Sequence, residues 1–196
     1  MMWLRPFLLI LLLAFSACSG GGGSGHGTIL TAPGMAKTHP DPIAIRHIVL
    51  RYPYTNEKID ADYYHDGHYD DRIMAQINKL MRDRHEDVVG IIDPELIDYL
   101  VDIRTRLGLP PTVVFDILSG YRTRETNALL SFSNGNVAKE SLHMHGWAVD
   151  FRIAHVDGRA ICEIAKTMQR GGVAYYPRDN HVHVDLGNIR TWAQKS

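Results

Sequence analysis

The sequence predicts an α+β domain in which helices pack on a mostly antiparallel sheet. Three observations carry that prediction. Residues 71–87, 93–107 and 158–170 place apolar side chains at spacings of three and four. Residues 112–118, 147–153 and 180–186 are β-branched, aromatic or alternating, the signature of strands. No internal repeat is visible, and the order runs helices first with strands concentrated late, which segregates the two kinds of element. The 196 residues are 45% hydrophobic and 22% charged, enough for one packed core. With 21 basic and 22 acidic residues and no long basic run, nucleic acid is a poor guess for a partner.

Taken in order, the chain opens on a leader. Residues 1–17 hold one cation, Arg5, then the apolar run Phe7 to Phe15 and small residues, which is a secretory signal too short to span a membrane. It ends in Phe15-Ser16-Ala17-Cys18, which resembles the lipobox of bacterial lipoproteins and makes Cys18 the expected lipid anchor. Residues 18–42, Gly/Ser-rich and then proline-rich, form a tether and lead-in. The expected domain is 43–196. The other cysteine, Cys162, lies in a predicted helix and reads as a small buried hydrophobe.

Ile43 to Tyr54 supplies a first strand through Ile45, Ile48, Val49 and Leu50. Asp60 to Asp71 is polar, with a turn at Asp66-Gly67, and its His65, Asp66, His68 and Asp70 read as a solvated loop. Ile73, Ile77, Leu80 and Met81 make one face of a helix over 71–87. Over 93–107 Asp93 caps, Pro94 suits the first turn, and Gly108 ends the helix. Thr112 to Leu118 is a strand, Thr123 to Ser131 a helix and Ser133 to Asn136 a loop. In the strand Trp147 to Ile153, Ala148, Asp150 and Arg152 share one face. The helix Gly158 to Arg170 turns Ile161, Ile164, Ala165 and Met168 inward. A strand from Gly171-Gly172 to Tyr176 follows, and Asn180 to Leu186 is the last.

Chemistry gathers on the late strands. His143 precedes one strand, Asp150 lies on it, and His183 lies on another. If those strands are neighbours, two imidazoles and a carboxylate converge, the mixed N/O set that a catalytic zinc ion uses with one position open for water. Zinc brings the pKa of a bound water towards neutrality, which is the chemistry of amide hydrolysis. His181 and Asp185 share a face with His183. His181 is placed to take a proton. Asp185 either orients a ligand histidine or serves as the base instead. Arg122, on the turn after a strand, is the cation for a carboxylate or an oxyanion. His145 is turned away or in a loop, and His26, His39, His47, His85 and His155 have no role.

Ser-Gly-Tyr-Arg at 119–122 with Thr126-Asn127, Ser-Leu-His-Met-His-Gly-Trp-Ala-Val-Asp at 141–150, Gly-Gly-Val-Ala-Tyr-Tyr-Pro-Arg at 171–178 and Val-His-Val-Asp at 182–185 together resemble the bacterial YcbK/MepK-type murein endopeptidases. Those enzymes belong with the D-Ala-D-Ala metallopeptidases and the hedgehog-like zinc fold. The resemblance extends from about Ile45 to Trp192 and includes residues 63–69 and 92–96. It implies a hedgehog/DD-peptidase-like fold, one Zn2+ held by His143, Asp150 and His183, and Arg122 in the substrate cleft. In the wider group a base stands two or three residues before the last ligand, which His181 matches. The implied activity is a zinc metalloendopeptidase that opens peptide cross-links of peptidoglycan in the periplasm, its partner the peptidoglycan peptide stems. A carboxypeptidase trimming terminal D-alanine and a non-catalytic peptidoglycan-binding lipoprotein are the alternatives.

Overall fold

The computed structural model describes residues 44–133 and 137–193. The expected signal, the Cys18 anchor, the tether and most of the loop at 133–136 lie outside them. Eight strands and four helices follow in the order β1 (Arg46–Tyr52), β2 (Glu57–His65), β3 (His68–Tyr69), α1 (Asp71–Leu80), α2 (Pro94–Arg106), β4 (Val114–Ser119), α3 (Arg124–Ser133), β5 (Ala148–Ile153), α4 (Gly158–Met168), β6 (Gly172–Tyr176), β7 (His181–Asp185) and β8 (Arg190–Ala193). A short 3-10 turn, Leu142–His145, precedes β5. The strands form one sheet in the order β3-β2-β1-β4-β5-β7-β6-β8. Among the described residues the pairs β1–β4 and β6–β8 are parallel and the other neighbours antiparallel, so the α+β class with a mostly antiparallel sheet holds.

Four expectations need correction. Strands are not concentrated late, since β1 to β4 come before α3. The polar stretch from Asp60 is largely strand: in β2, Ile59 and Tyr63 are buried while Asp60 and Asp62 face outward, so the acidic side chains mark the wet face and not a loop. The turn itself is where it was expected. Asp66 and Gly67 both have positive φ, 52° and 84°, which suits the tight connection of β2 to β3. Helix α1 stops at Leu80 and does not reach Asp87, because the Asp83 carboxylate takes up the backbone N–H groups of His85 and Glu86 in a turn. A further strand, β8, follows the one read as last.

The helical ends obey local chemistry. Asp70 accepts from the N–H groups of Arg72 and Ile73 to start α1, and Asp93 accepts from Glu95 to start α2, with Pro94 in its first turn. Gly108 follows α2 with φ +67°. Alternation in the strands then decides the layers. Val149, Phe151, Val182 and Val184 turn to one face and join Leu96, Ile97 and Leu100 of α2 and Ile161 and Ala165 of α4 in the core. Each such fully buried Leu, Ile or Phe contributes about 1.5–3 kcal/mol. Asp150 and His183 necessarily turn to the opposite face. Asp98 on α2 is buried against the sheet and accepts from the hydroxyls of Tyr63 and Tyr69, each at 2.6 Å, which ties α2 to β2 and β3.

Asp83 joins the segment after α1 to the segment before α3. Its carboxylate accepts from the Thr123 backbone N–H at 2.7 Å, the Thr123 hydroxyl at 2.9 Å and the His85 N–H at 2.8 Å. Burial alone would raise its pKa, but these donors outweigh burial and bring it down to about 2. A depressed carboxylate stabilises the fold above the unfolded-state pKa near 4 and loses that contribution as the pH falls towards 2. Asp83→Asn is therefore expected to cost about 2 kcal/mol at pH 7. Denaturant unfolding from pH 7 to pH 2 should show the gap to the parent protein closing below pH 4. A gap that does not change with pH would rule the carboxylate out as its source.

Candidate metal centre

The site is built on the polar face of the sheet, where β4, β5 and β7 meet the turn that carries His143. Behind it, the backbone from Gly120 to Thr123 is fixed from the α1–α2 connection. The Tyr121 N–H donates to the Met81 carbonyl at 2.8 Å, and Asp83 holds Thr123. A Cβ on Gly120 would lie 2.4 Å from the Met81 oxygen, so this approach requires glycine. The Gly120 carbonyl then accepts from His143 Nδ1 at 2.6 Å. Ser141 caps the 3-10 turn, and Gly146, at φ +69°, ends it against the Ile91 carbonyl. His143 is buried at that point, and β5 starts after Trp147.

Asp150 on β5 and His183 on β7 are directly opposite in register, so their side chains meet on one face. His183 Nδ1 is 2.8 Å from Asp150 Oδ1, and His143 Nε2 is 3.4 Å from Asp150 Oδ2. Donor atoms from His143, Asp150 and His183 all lie within 4.8 Å of one another, the one such His/Asp/Glu/Cys group among the described residues. Each ring is oriented from outside. His143 gives its Nδ1–H to Gly120, which leaves the Nε2 lone pair facing Asp150. His183 is held through Nε2 by Asp185 at 3.0 Å, so its Nδ1 faces the same carboxylate, donating to it when the ring is protonated and open to a metal once that proton leaves. Two imidazole nitrogens and one carboxylate aimed at a common point, each histidine backed by an acceptor, suit a divalent ion such as zinc.

The titration behaviour follows from burial and charge. Burial lowers the His143 pKa. Burial would raise that of Asp150, but the two facing imidazoles outweigh it and hold the carboxyl ionised, far below its ordinary value. Burial would lower His183, but hydrogen bonds to Asp150 and Asp185 hold it above its usual value.

Asp185 is fully buried. It accepts from the N–H groups of Gly172 and Gly187, from both terminal nitrogens of Arg190 and from His183. These donors hold its pKa well below the ordinary carboxylate range against the effect of burial. The glycine pair at 171–172 makes room for it, since a Cβ on Gly171 would lie 1.8 Å from its carbonyl oxygen. So enclosed, Asp185 orients His183, and the proton-accepting role left open for it in the sequence has no route to solvent. Asp185→Asn keeps the shape but weakens the grip on His183. The expected result is a 10- to 100-fold loss of zinc affinity, measured by competition with a chromophoric chelator. Unchanged affinity would assign Asp185 to packing alone.

Arg122 points into the same place. Its Nε donates to Ser119 Oγ at 3.0 Å and its Nη2 to Asp150 Oδ2 at 3.0 Å, leaving Nη1 without a partner among the described residues. His181 lies flat on Tyr176, opposite it in register, with ring centroids 4.4 Å apart and planes 9° apart. Its Nδ1 is buried without a hydrogen-bond partner, and burial lowers its pKa. His181, Arg122 and the three clustered side chains all line one cleft of about 670 Å³. His145 is exposed beside Trp147, and His47, His85 and His155 are not among the residues that line this cleft.

The sequence did not point to Arg190 and Trp192. Arg190 holds Asp185, and Trp192 packs on His183 with ring centroids 5.0 Å apart. Both sit on β8, whose four residues after a Gly-Asn turn are too short for a periodic signal; the paired Trp and Arg at alternate positions were the one clue.

Residues 41–192 match the Peptidase_M15_2 family, described as peptidoglycan L,D-endopeptidase MepK. The peptidoglycan L,D-endopeptidase MepK of Escherichia coli K12 is 37% identical over 168 residues, covering 84% of this chain and 88% of that one. The probable peptidoglycan L,D-endopeptidase MepK of Haemophilus influenzae is 35% identical over 147 residues, covering 75% of this chain and 78% of that one. The crystal structure of the Serratia marcescens L-Ala D-Glu endopeptidase ChiX matches 50% of this chain and 68% of its own at 14% identity and a TM-score of 0.32. So loose a superposition bears on neither the fold nor the site.

Proposed function

Because the chain belongs to the Peptidase_M15_2 family of peptidoglycan endopeptidases, we propose that it hydrolyses an L,D amide in peptidoglycan cross-links with one zinc ion held by His143, Asp150 and His183. The observation that carries the reading is the convergence of those three side chains within 4.8 Å from three separate elements, each ring turned by an outer partner. A zinc ion bound there supplies Lewis acidity, polarising the amide carbonyl and acidifying water.

The residues of the chain do the rest. His143 and His183 present Nε2 and Nδ1 because Gly120 and Asp185 occupy their other nitrogens. His181, neutral through burial, accepts the proton released when water attacks and returns it to the leaving amine. The stack on Tyr176 keeps its ring over the cleft. Arg122 donates its remaining N–H to the carbonyl oxygen as charge develops, and its bond to Ser119 fixes its reach. The leader pattern and Cys18 support a periplasmic, lipid-anchored setting for this chemistry, a reading that rests on the sequence pattern alone; among the described residues no helix is long and apolar enough to cross a membrane.

The test is mass spectrometry of muropeptides after purified sacculi are incubated with the protein, with and without a chelator. Cross-linked dimers should fall and monomers rise, and chelation should stop both. Loss of terminal D-alanine alone would replace this reading with a carboxypeptidase. Unchanged muropeptides from a zinc-loaded sample would replace it with a binding protein.

A further inference from the structure

Three arginines line the cleft, and they are not in the same electrostatic condition. Arg122 is paired with Asp150 at 3.0 Å, and Arg190 places both terminal nitrogens on Asp185. Those two guanidiniums are neutralised by carboxylates of the site itself. Arg178 is exposed and makes no hydrogen bond or ion pair with any described residue. Glu140 and Asp179 also line the cleft, yet neither is bonded to it.

The backbone under Arg178 is fixed all the same. It lies in the four-residue connection 177–180 between β6 and β7, and Asn180 clamps that connection from inside. Asn180 Oδ1 accepts from the Gly158 N–H at 2.9 Å and from the Tyr175 hydroxyl at 3.3 Å, and its Nδ2 donates to the Val156 carbonyl at 3.0 Å. Asn180 adopts the left-handed conformation, φ 50°, to do so. A rigid turn therefore holds an uncompensated guanidinium at the rim of the cleft. Its planar fork matches a carboxylate in two parallel hydrogen bonds.

We propose that Arg178 is a specificity residue that binds a carboxylate of the substrate's stem peptide. The inference rests on reading this cleft as a peptidoglycan site. Besides its chain terminus, a cross-linked stem offers two kinds of carboxylate for it: the one on diaminopimelate beside the cross-link amide, and the α-carboxylate of D-glutamate. Arg178 is not required for the bond cleavage itself. It decides which stems are held long enough to be cut.

The experiment uses cross-linked muropeptides with both carboxylates free, with the diaminopimelate carboxylate amidated, or with the glutamate carboxylate amidated. Calorimetry on the chelator-treated full-length protein measures binding without turnover. The unmodified protein should bind the free acid about tenfold more tightly than one of the two amides, and which amide fails identifies the carboxylate. Arg178→Ala should bind the free acid as weakly as that amide, and Arg178→Lys should recover part of the difference. Indifference of the unmodified protein to both amidations would overturn the proposal. So would an Arg178→Ala variant that weakens free and amidated ligands equally. Cleavage after zinc is restored is scored separately: binding with the expected preference but no cleavage would retire the hydrolase and keep the carboxylate subsite.

Discussion

His183→Ala should abolish both stoichiometric zinc binding and muropeptide hydrolysis. His183 does two jobs at once: its Nδ1 faces Asp150, and its Nε2 is the one imidazole contact of the buried Asp185. Removing it leaves two donors of three, too few for a tight tetrahedral site. Loss of the ion removes several kcal/mol of stabilisation from the attacked carbonyl, so turnover should fall by about 10³-fold or more. The same change leaves the buried Asp185 and the half-buried Asp150 each one donor short while Arg190 and Arg122 stay on them, which destabilises the fold by about 1–3 kcal/mol. Asp150→Asn separates the two effects, because it keeps the volume and still weakens metal binding. Zinc content by mass spectrometry of the folded fraction, beside thermal melts, checks the expectation. Either variant retaining one equivalent of zinc and full turnover would remove its residue from the ligand set.

His181→Ala should lower turnover by about 10²- to 10⁴-fold and leave zinc in place. The ring lines the cleft but is not one of the three clustered donors. Its contact with Tyr176 is a parallel stack, so truncation also removes packing. His181→Phe distinguishes the contributions, since phenylalanine restores the stack and cannot carry a proton. If the loss arises from proton transfer, Phe behaves like Ala. If Phe restores turnover, the ring matters for shape, and the proton goes elsewhere.

Period-two alternation made much of this site legible before the structure. Asp150 and His183 each follow or precede valines that must be buried, so both carboxylate and imidazole had to turn to the other face. What alternation cannot give is the neighbour order. That β5 lies beside β7, with Asp150 opposite His183, is a tertiary fact. The double service of His183, with one nitrogen for Asp150 and the other for Asp185, follows only from that register. The enclosure of Asp185 was equally hidden, because its donors come from Gly172, Gly187 and the short strand β8. The freedom of Arg178 was the least readable of all: it depends on which carboxylates Arg122 and Arg190 have already taken. In the first half, the acidic alternation of β2 resembled a loop because its outward face carries Asp60 and Asp62, and α1 ended early because Asp83 serves the backbone of a turn.

The measurement that bears most directly on the account is anomalous diffraction at the zinc edge from crystals of the protein grown with one equivalent of zinc. A single strong peak is expected, bounded by His143 Nε2, the Asp150 carboxylate and His183 Nδ1, on the cleft side of the sheet. A peak elsewhere, or no peak between those three side chains at full zinc loading, would contradict it.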